Sequence, residues 1–206
     1  MQEVVTFFWK IFLSSFFNRL EEKLYICSGK REKTMETKII NLFGGPGVGK
    51  STIAASVFSN LKQHHIECEL AIEYAKEMIW EESFKTLDDQ IYVFAKQHHR
   101  QFRLLGKVEY IITDSPIVLS VLYDKECSKG LYDLIKERFE CFNNINYLIR
   151  RGTIYQPNGR IQTEDEAKRI DANVISLLDD MNIKYTQVST NDAIQKITED
   201  ILKNNI

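Results

Sequence analysis

The densest concentration of chemical capacity in this chain is the run Gly44-Gly45-Pro46-Gly47-Val48-Gly49-Lys50-Ser51. Its spacing is G-x-x-x-x-G-K-[ST], and each residue type has a physical reason to be there. Glycines let successive backbone N–H groups converge on phosphate oxygens. A helix that begins at the lysine turns its positive end toward the same anion. Lys50 then bridges the β- and γ-phosphates of a nucleoside triphosphate and Ser51 offers its hydroxyl to Mg²⁺. Thr52 extends the nucleotide-binding set into the first helical turn. The cofactors this implies are ATP and Mg²⁺.

A second acidic position separates nucleotide hydrolysis that drives motion from phosphate transfer to an acceptor. The apolar run Val108 to Thr113 ends in Asp114, and the carboxyl end of a strand is where open α/β sheets place their ligands. Asp114 is expected to hold metal and act in catalysis. It is followed by Ser115-Pro116, without the glutamate that polarises water in hydrolytic motors. After the next apolar run come Arg150 and Arg151, then a Pro157-Asn158-Gly159 turn and Arg160. Arginines around a loop can close over a γ-phosphate, neutralise its charge and keep water out. Arg151 and Arg160 are the expected pair, with Arg150 turned toward the sheet. On the acceptor side, Glu73 is placed to orient or deprotonate a hydroxyl, and Gln97 to hydrogen-bond a base or carboxamide. His64, His65, His98 and His99 form two adjacent pairs, whose members point to different sides of a helix and make poor metal sites.

These residues need a scaffold, and the pattern from Lys38 onward supplies one. Short apolar strands alternate with helix-length segments, which predicts an α/β fold with a parallel sheet covered on both faces. Strands are expected at Ile39 to Phe43, Glu67 to Ala71, Val108 to Thr113, Asn146 to Arg150 and Lys184 to Val188. Helices are expected over 50–63, 72–82, 87–105, 117–142 with a break near Gly130, 164–181 and 191–203. Thr163 and Glu166 have the spacing of a capping box at the start of the 164–181 helix.

Composition narrows the function. The 206 residues carry 27 Lys+Arg against 29 Asp+Glu, so no global basic field exists to hold a polyphosphate backbone. Cys27, Cys68, Cys127 and Cys141 form no C-x-x-C pair and read as reduced thiols of a cytoplasmic protein. Val4 to Leu20 is dense in apolar residues yet too short and broken to span a membrane. Residues 1–34 read as an N-terminal arm, either dispensable and upstream of a start at Met35 or a contact for a partner or membrane surface. Residues 35–206 read as the functional domain.

On these motifs the chain resembles the small P-loop kinases related to the nicotinamide riboside kinase domain of the bacterial NAD-biosynthesis regulator, a group that includes short phage-encoded members. The likeness spans roughly residues 37–190. It rests on the loop at 44–51, Glu-Tyr-Ala-Lys-Glu at 73–77, Phe-Ala-Lys-Gln at 94–97, Thr-Asp-Ser-Pro at 113–116, and the segment from Tyr155 to Arg160 with Glu166-Ala167 and Asp171 beyond it. The resemblance implies a three-layer P-loop fold of nucleotide-kinase type, with a five-stranded parallel sheet and a short lid. It also implies Mg-ATP as donor and Asp114 in the catalytic centre. The expected function is an ATP-dependent phosphotransferase acting on a small nucleoside, nucleotide or nicotinamide-riboside-like acceptor. The alternatives are a regulatory nucleotide-binding protein or slow ATPase, and a kinase acting on DNA through a patch of Arg100, Arg103 and Lys107.

Overall fold

The computed structural model describes residues 35–126, 128–152 and 163–203. Five strands form one sheet: β1 (Lys38–Phe43), β2 (Cys68–Leu70), β3 (Tyr110–Thr113), β4 (Asn143–Arg150) and β5 (Thr186–Ser189). Their order is β2-β3-β1-β4-β5 and every pairing is parallel. The helices are α1 (Lys50–Gln63), α2 (Tyr74–Trp80), α3 (Phe84–Asp88), α4 (Gln90–Phe102), α5 (Lys129–Glu140), α6 (Glu164–Asp180) and α7 (Ala193–Lys203), with a 3₁₀ segment at Ile117–Tyr123.

Alternation along β1 explains the layers. Ile40 and Leu42 point to a core shared with Ile53, Val57 and Leu61 of α1 and Ile197 and Ile201 of α7. Phe43 points the other way, into a core built with Ile135 and Phe139 of α5 and Val174 and Leu178 of α6. A strand buried on both faces reads as a near-continuous apolar run, as KIINLF does. Its buried polar exception is Asn41, 1% exposed, whose Nδ2 donates to Asn144 Oδ1 at 2.8 Å and Asn146 Oδ1 at 3.0 Å on β4.

Local chemistry moved several element ends from their expected places. The helix expected over 87–105 is two helices, because Asp89 accepts the Tyr92 N–H at 3.1 Å and starts α4 afresh. The break in 117–142 lies at Asp124 to Ser128 rather than near Gly130. Asp124 accepts the backbone N–H groups of Glu126 and Ser128, and Ser128 then caps α5. The Thr163 and Glu166 capping box forms as expected. Cys68 is buried and unbridged, and burial pushes its thiol up to about 11, so it stays protonated and unreactive. Cys27, Cys127 and the arm lie outside the described residues. Among the described residues, no helix is long and apolar enough to cross a membrane.

Candidate active site

Parallel strands carry their carboxyl ends to one edge of the sheet, and the expected site residues follow those ends. The glycine-rich loop follows β1, Glu73 follows β2, Asp114 follows β3, and Arg151 follows β4. β1 lies between β3 and β4, so the loop at its end has Asp114 on one side and Arg151 on the other. β1 is also where the chain switches from one half of the sheet to the other, the usual place for a ligand crevice.

The loop is shaped for an anion. Gly49 precedes α1 with φ +97°, a left-handed backbone conformation that side-chain-bearing residues rarely adopt. No side chain caps the start of α1 and its first turn holds no acidic residue, so nothing in the helix itself neutralises its positive end. Lys50 Nζ folds over the loop and donates to the carbonyl oxygens of Gly44 at 2.6 Å and Gly45 at 2.9 Å. A cleft opens against this loop. Gly44, Pro46, Gly47, Gly49, Lys50 and Ser51 form one wall, and Glu73, Asp114 and Ser115 stand among its other lining residues. Val48 is buried in the core beneath the loop, while Gly45 and Thr52 stand outside the lining.

Asp114 is 3% exposed, and its Oδ1 is buried with no hydrogen-bond partner. A carboxylate oxygen left unsatisfied at the wall of a polar cleft fits a cation or a ligand proton. No side chain caps the 3₁₀ segment that follows, and the Ser115 N–H donates to Thr113 Oγ1 at 3.2 Å. Ser51, exposed in the same cleft, supplies the hydroxyl that fits Mg²⁺ bound together with nucleotide phosphates. Among the described residues, no group of three or more His, Cys, Asp or Glu could hold a metal ion by itself.

Glu73 sits at the start of α2 without making a capping bond, and it lines the cleft. Tyr123 faces the same space. Burial first, and then the Glu73 charge, push its phenol up to about 12, so it stays a neutral hydroxyl.

Two expected residues take other work. Gln97, 2% exposed, accepts the Tyr74 N–H at 2.9 Å and donates to Ala71 O at 3.5 Å, which pins the start of α2 to the end of β2. It is committed to backbone and stands outside the cleft lining. Gln90 lines the cleft instead. The signal for it lay in the spacing of Gln90, Gln97 and Gln101 along α4, but spacing alone does not say which glutamine meets the ligand. Arg151 also departs from the expectation of closing over phosphate. Its Nε pairs with Asp171 Oδ2 at 2.7 Å, and its Nη2 donates to Pro46 O at 2.8 Å. Asp171 in turn accepts the Gly45 N–H at 2.6 Å. Arg151 and Asp171 thus brace the loop from behind, tying it to α6. Arg150 is exposed, and with the Gln187 amide oxygen turned toward it, it donates at 3.0 and 3.1 Å across to β5. Arg160 lies outside the described residues. Arg100, one member of the suggested DNA patch, is engaged with Glu77 at 2.6 Å and stacks over the Tyr74 ring.

A family model described as an AAA domain matches residues 39–196. The chain belongs to this family. No curated protein sequence matches it. Among solved structures it is similar to deoxyadenosine kinase from M. mycoides with the products dCMP and a flexible dCDP bound. That match has a TM-score of 0.53 at 21% identity and covers 82% of this chain and 100% of the other. The same kinase with dATP bound matches at a TM-score of 0.50 and 19% identity, over 79% of this chain and 98% of the other. At such identities the likeness is one of fold. The five-stranded parallel sheet with helices on both faces and a glycine-rich loop after β1 is a three-layer P-loop kinase fold.

Proposed function

We propose that this protein is an ATP-dependent phosphotransferase acting on a small nucleoside, nucleotide or nicotinamide-riboside-like acceptor. The observation that carries this reading is the unpartnered, buried Asp114 Oδ1 in the same cleft as Lys50 and Ser51. Lys50 and the loop backbone hold the β- and γ-phosphates. Ser51 and Asp114 hold Mg²⁺, which supplies positive charge to the transferring phosphoryl oxygens when bound. Glu73 orients the acceptor hydroxyl and takes its proton. The hydroxyl oxygen bonds to the γ-phosphorus, the bond from that phosphorus to the β–γ bridging oxygen breaks, and ADP leaves. Positioning and charge stabilisation carry the rate, with no covalent enzyme intermediate.

Arg151 acts through the loop it braces, and Arg160 is the group proposed to close over the transferring phosphoryl. Residues 35–206 form the phosphotransferase domain, and residues 1–34 are proposed to be dispensable for it. The absence of a glutamate after Asp114 supports transfer over hydrolysis-driven motion.

Asp114→Asn tests the reading, because it keeps the shape and removes the charge. Nucleotide binding without metal should stay within about threefold of the parent, while transfer falls by about 10²–10³-fold. Equal small changes in both would remove Asp114 from the chemistry.

A further inference from the structure

The cleft contains a second orphaned polar atom that the phosphotransfer machinery leaves unused. Gln90, the first residue of α4, is 7% exposed and lines the cleft together with Lys50 and Asp114. Its Nε2 donates to Leu87 O at 2.7 Å, which fixes the orientation of the amide. Its Oε1 is buried and has no hydrogen-bond partner. A buried amide oxygen without a partner is a destabilising feature that native structures retain where a ligand or water completes it. Ile79, Leu87, Val93 and Leu119 are apolar members of the same lining and suit the faces of a flat ring.

We infer that Gln90 selects the acceptor, and that the cleft takes a planar heteroaromatic ring presenting an N–H₂ donor to Gln90 Oε1. Amino-bearing nucleobases and aromatic carboxamides share that chemistry. Their oxo or carboxylate counterparts bring an oxygen against an oxygen and leave both acceptors unpaired in a desolvated place. Gln90 is therefore a specificity residue, separate from the groups that act on phosphate. The inference rests on the proposed phosphotransfer only in calling the ligand an acceptor.

Isothermal titration of the full chain, saturated with Mg²⁺ and a non-hydrolysable ATP analogue, tests it with three matched pairs: cytidine against uridine, adenosine against inosine, and nicotinamide riboside against nicotinic acid riboside. In at least one pair the amino-bearing member should bind about tenfold or more tightly than its counterpart, the loss expected when one buried hydrogen bond cannot form. The pair that responds identifies the ring. Gln90→Met, of similar length but without the amide oxygen, should bring that ratio close to one while still binding the ATP analogue. Equal binding within every pair, preference for the oxo members, or no binding of any of the six overturns the inference. So does a preference that survives Gln90→Met. The comparison in the unsubstituted protein decides the matter even if the variant fails to fold. Selective binding with no phosphorylated product would leave the recognition standing and remove the phosphotransfer reading instead.

Discussion

Asp114 keeps an unsatisfied oxygen at the cleft, whereas Gly45 is hemmed in by Asp171 and Ala167 of α6. A Cβ built on Gly45 would lie 2.5 Å from Asp171 Oδ1 and 2.8 Å from Ala167 O, so Gly45→Ala must push α6 away from the loop. The expected loss is about 1–3 kcal/mol, read as a lower unfolding midpoint. An unchanged midpoint would mean that α6 yields freely. Removing Arg151 strands its partner. The pair is mostly buried, with side-chain exposures of 11% and 25%, so Arg151→Met should destabilise by about 2–4 kcal/mol and weaken nucleotide binding through a loosened loop. A stability loss with unchanged nucleotide affinity would separate the brace from the site. At this scale the meeting of the glycine loop, Lys50, Ser51 and Asp114 at one cleft was legible from the sequence, because it follows from local spacing and a strand end. The Asp171 contact with Gly45 joins residues 126 positions apart, and spacing has no access to it.

Helix α4 shows what an element adds. His98 on this helix is stacked near Phe102 and Phe142, with ring centroids 5.7 and 5.6 Å away. Burial, and secondarily the charges of Arg138 and His99, hold its imidazole below the ordinary 6.5. The folded protein therefore binds this proton less readily than the unfolded chain. Its contribution to stability is complete above the unfolded value and is lost as pH falls below about 6.5 toward the folded value. Relative to His98→Phe, the parent protein should lose unfolding free energy between about pH 7.5 and about pH 5.5. A difference between the two that does not change with pH would contradict this origin. The amphipathic stripe that marks α4 as a helix was visible in the sequence. The division of labour along it was not, since Gln97 binds backbone, His98 stacks in an aromatic cluster and Gln90 faces the cleft. All three follow from how α4 lies on its neighbours. The split at Asp89 was missed for a related reason: a single side-chain cap overrode a continuous apolar period.

Across the whole molecule, the strand order β2-β3-β1-β4-β5 turns residues scattered from Gly44 to Asp171 into one edge. The alternation of strands and helices predicted a parallel sheet, and a parallel sheet with right-handed crossovers gathers its carboxyl ends together. The fold and the grouping of the glycine-rich loop with Asp114 were therefore readable together. The rest of the cleft lining was less so, because it depends on which side chains of α2, α4 and the 3₁₀ segment face the same cavity. Among the described residues, the sheet runs from Lys38 to Ser189, and the two main cores draw on residues from Ile40 to Ile201. A protein beginning at Met35 should keep its cooperative unfolding and its nucleotide binding. Aggregation or loss of cooperative unfolding would show that the arm completes the domain. The most direct test of phosphotransfer is mass spectrometry of the products formed from Mg-ATP and a pooled panel of nucleosides, nucleoside monophosphates and nicotinamide riboside. The account predicts one acceptor shifted by the mass of a phosphoryl group, formed by the parent protein and absent with Lys50→Ala. ADP and free phosphate alone, or the same shifted product with Lys50→Ala, would contradict it.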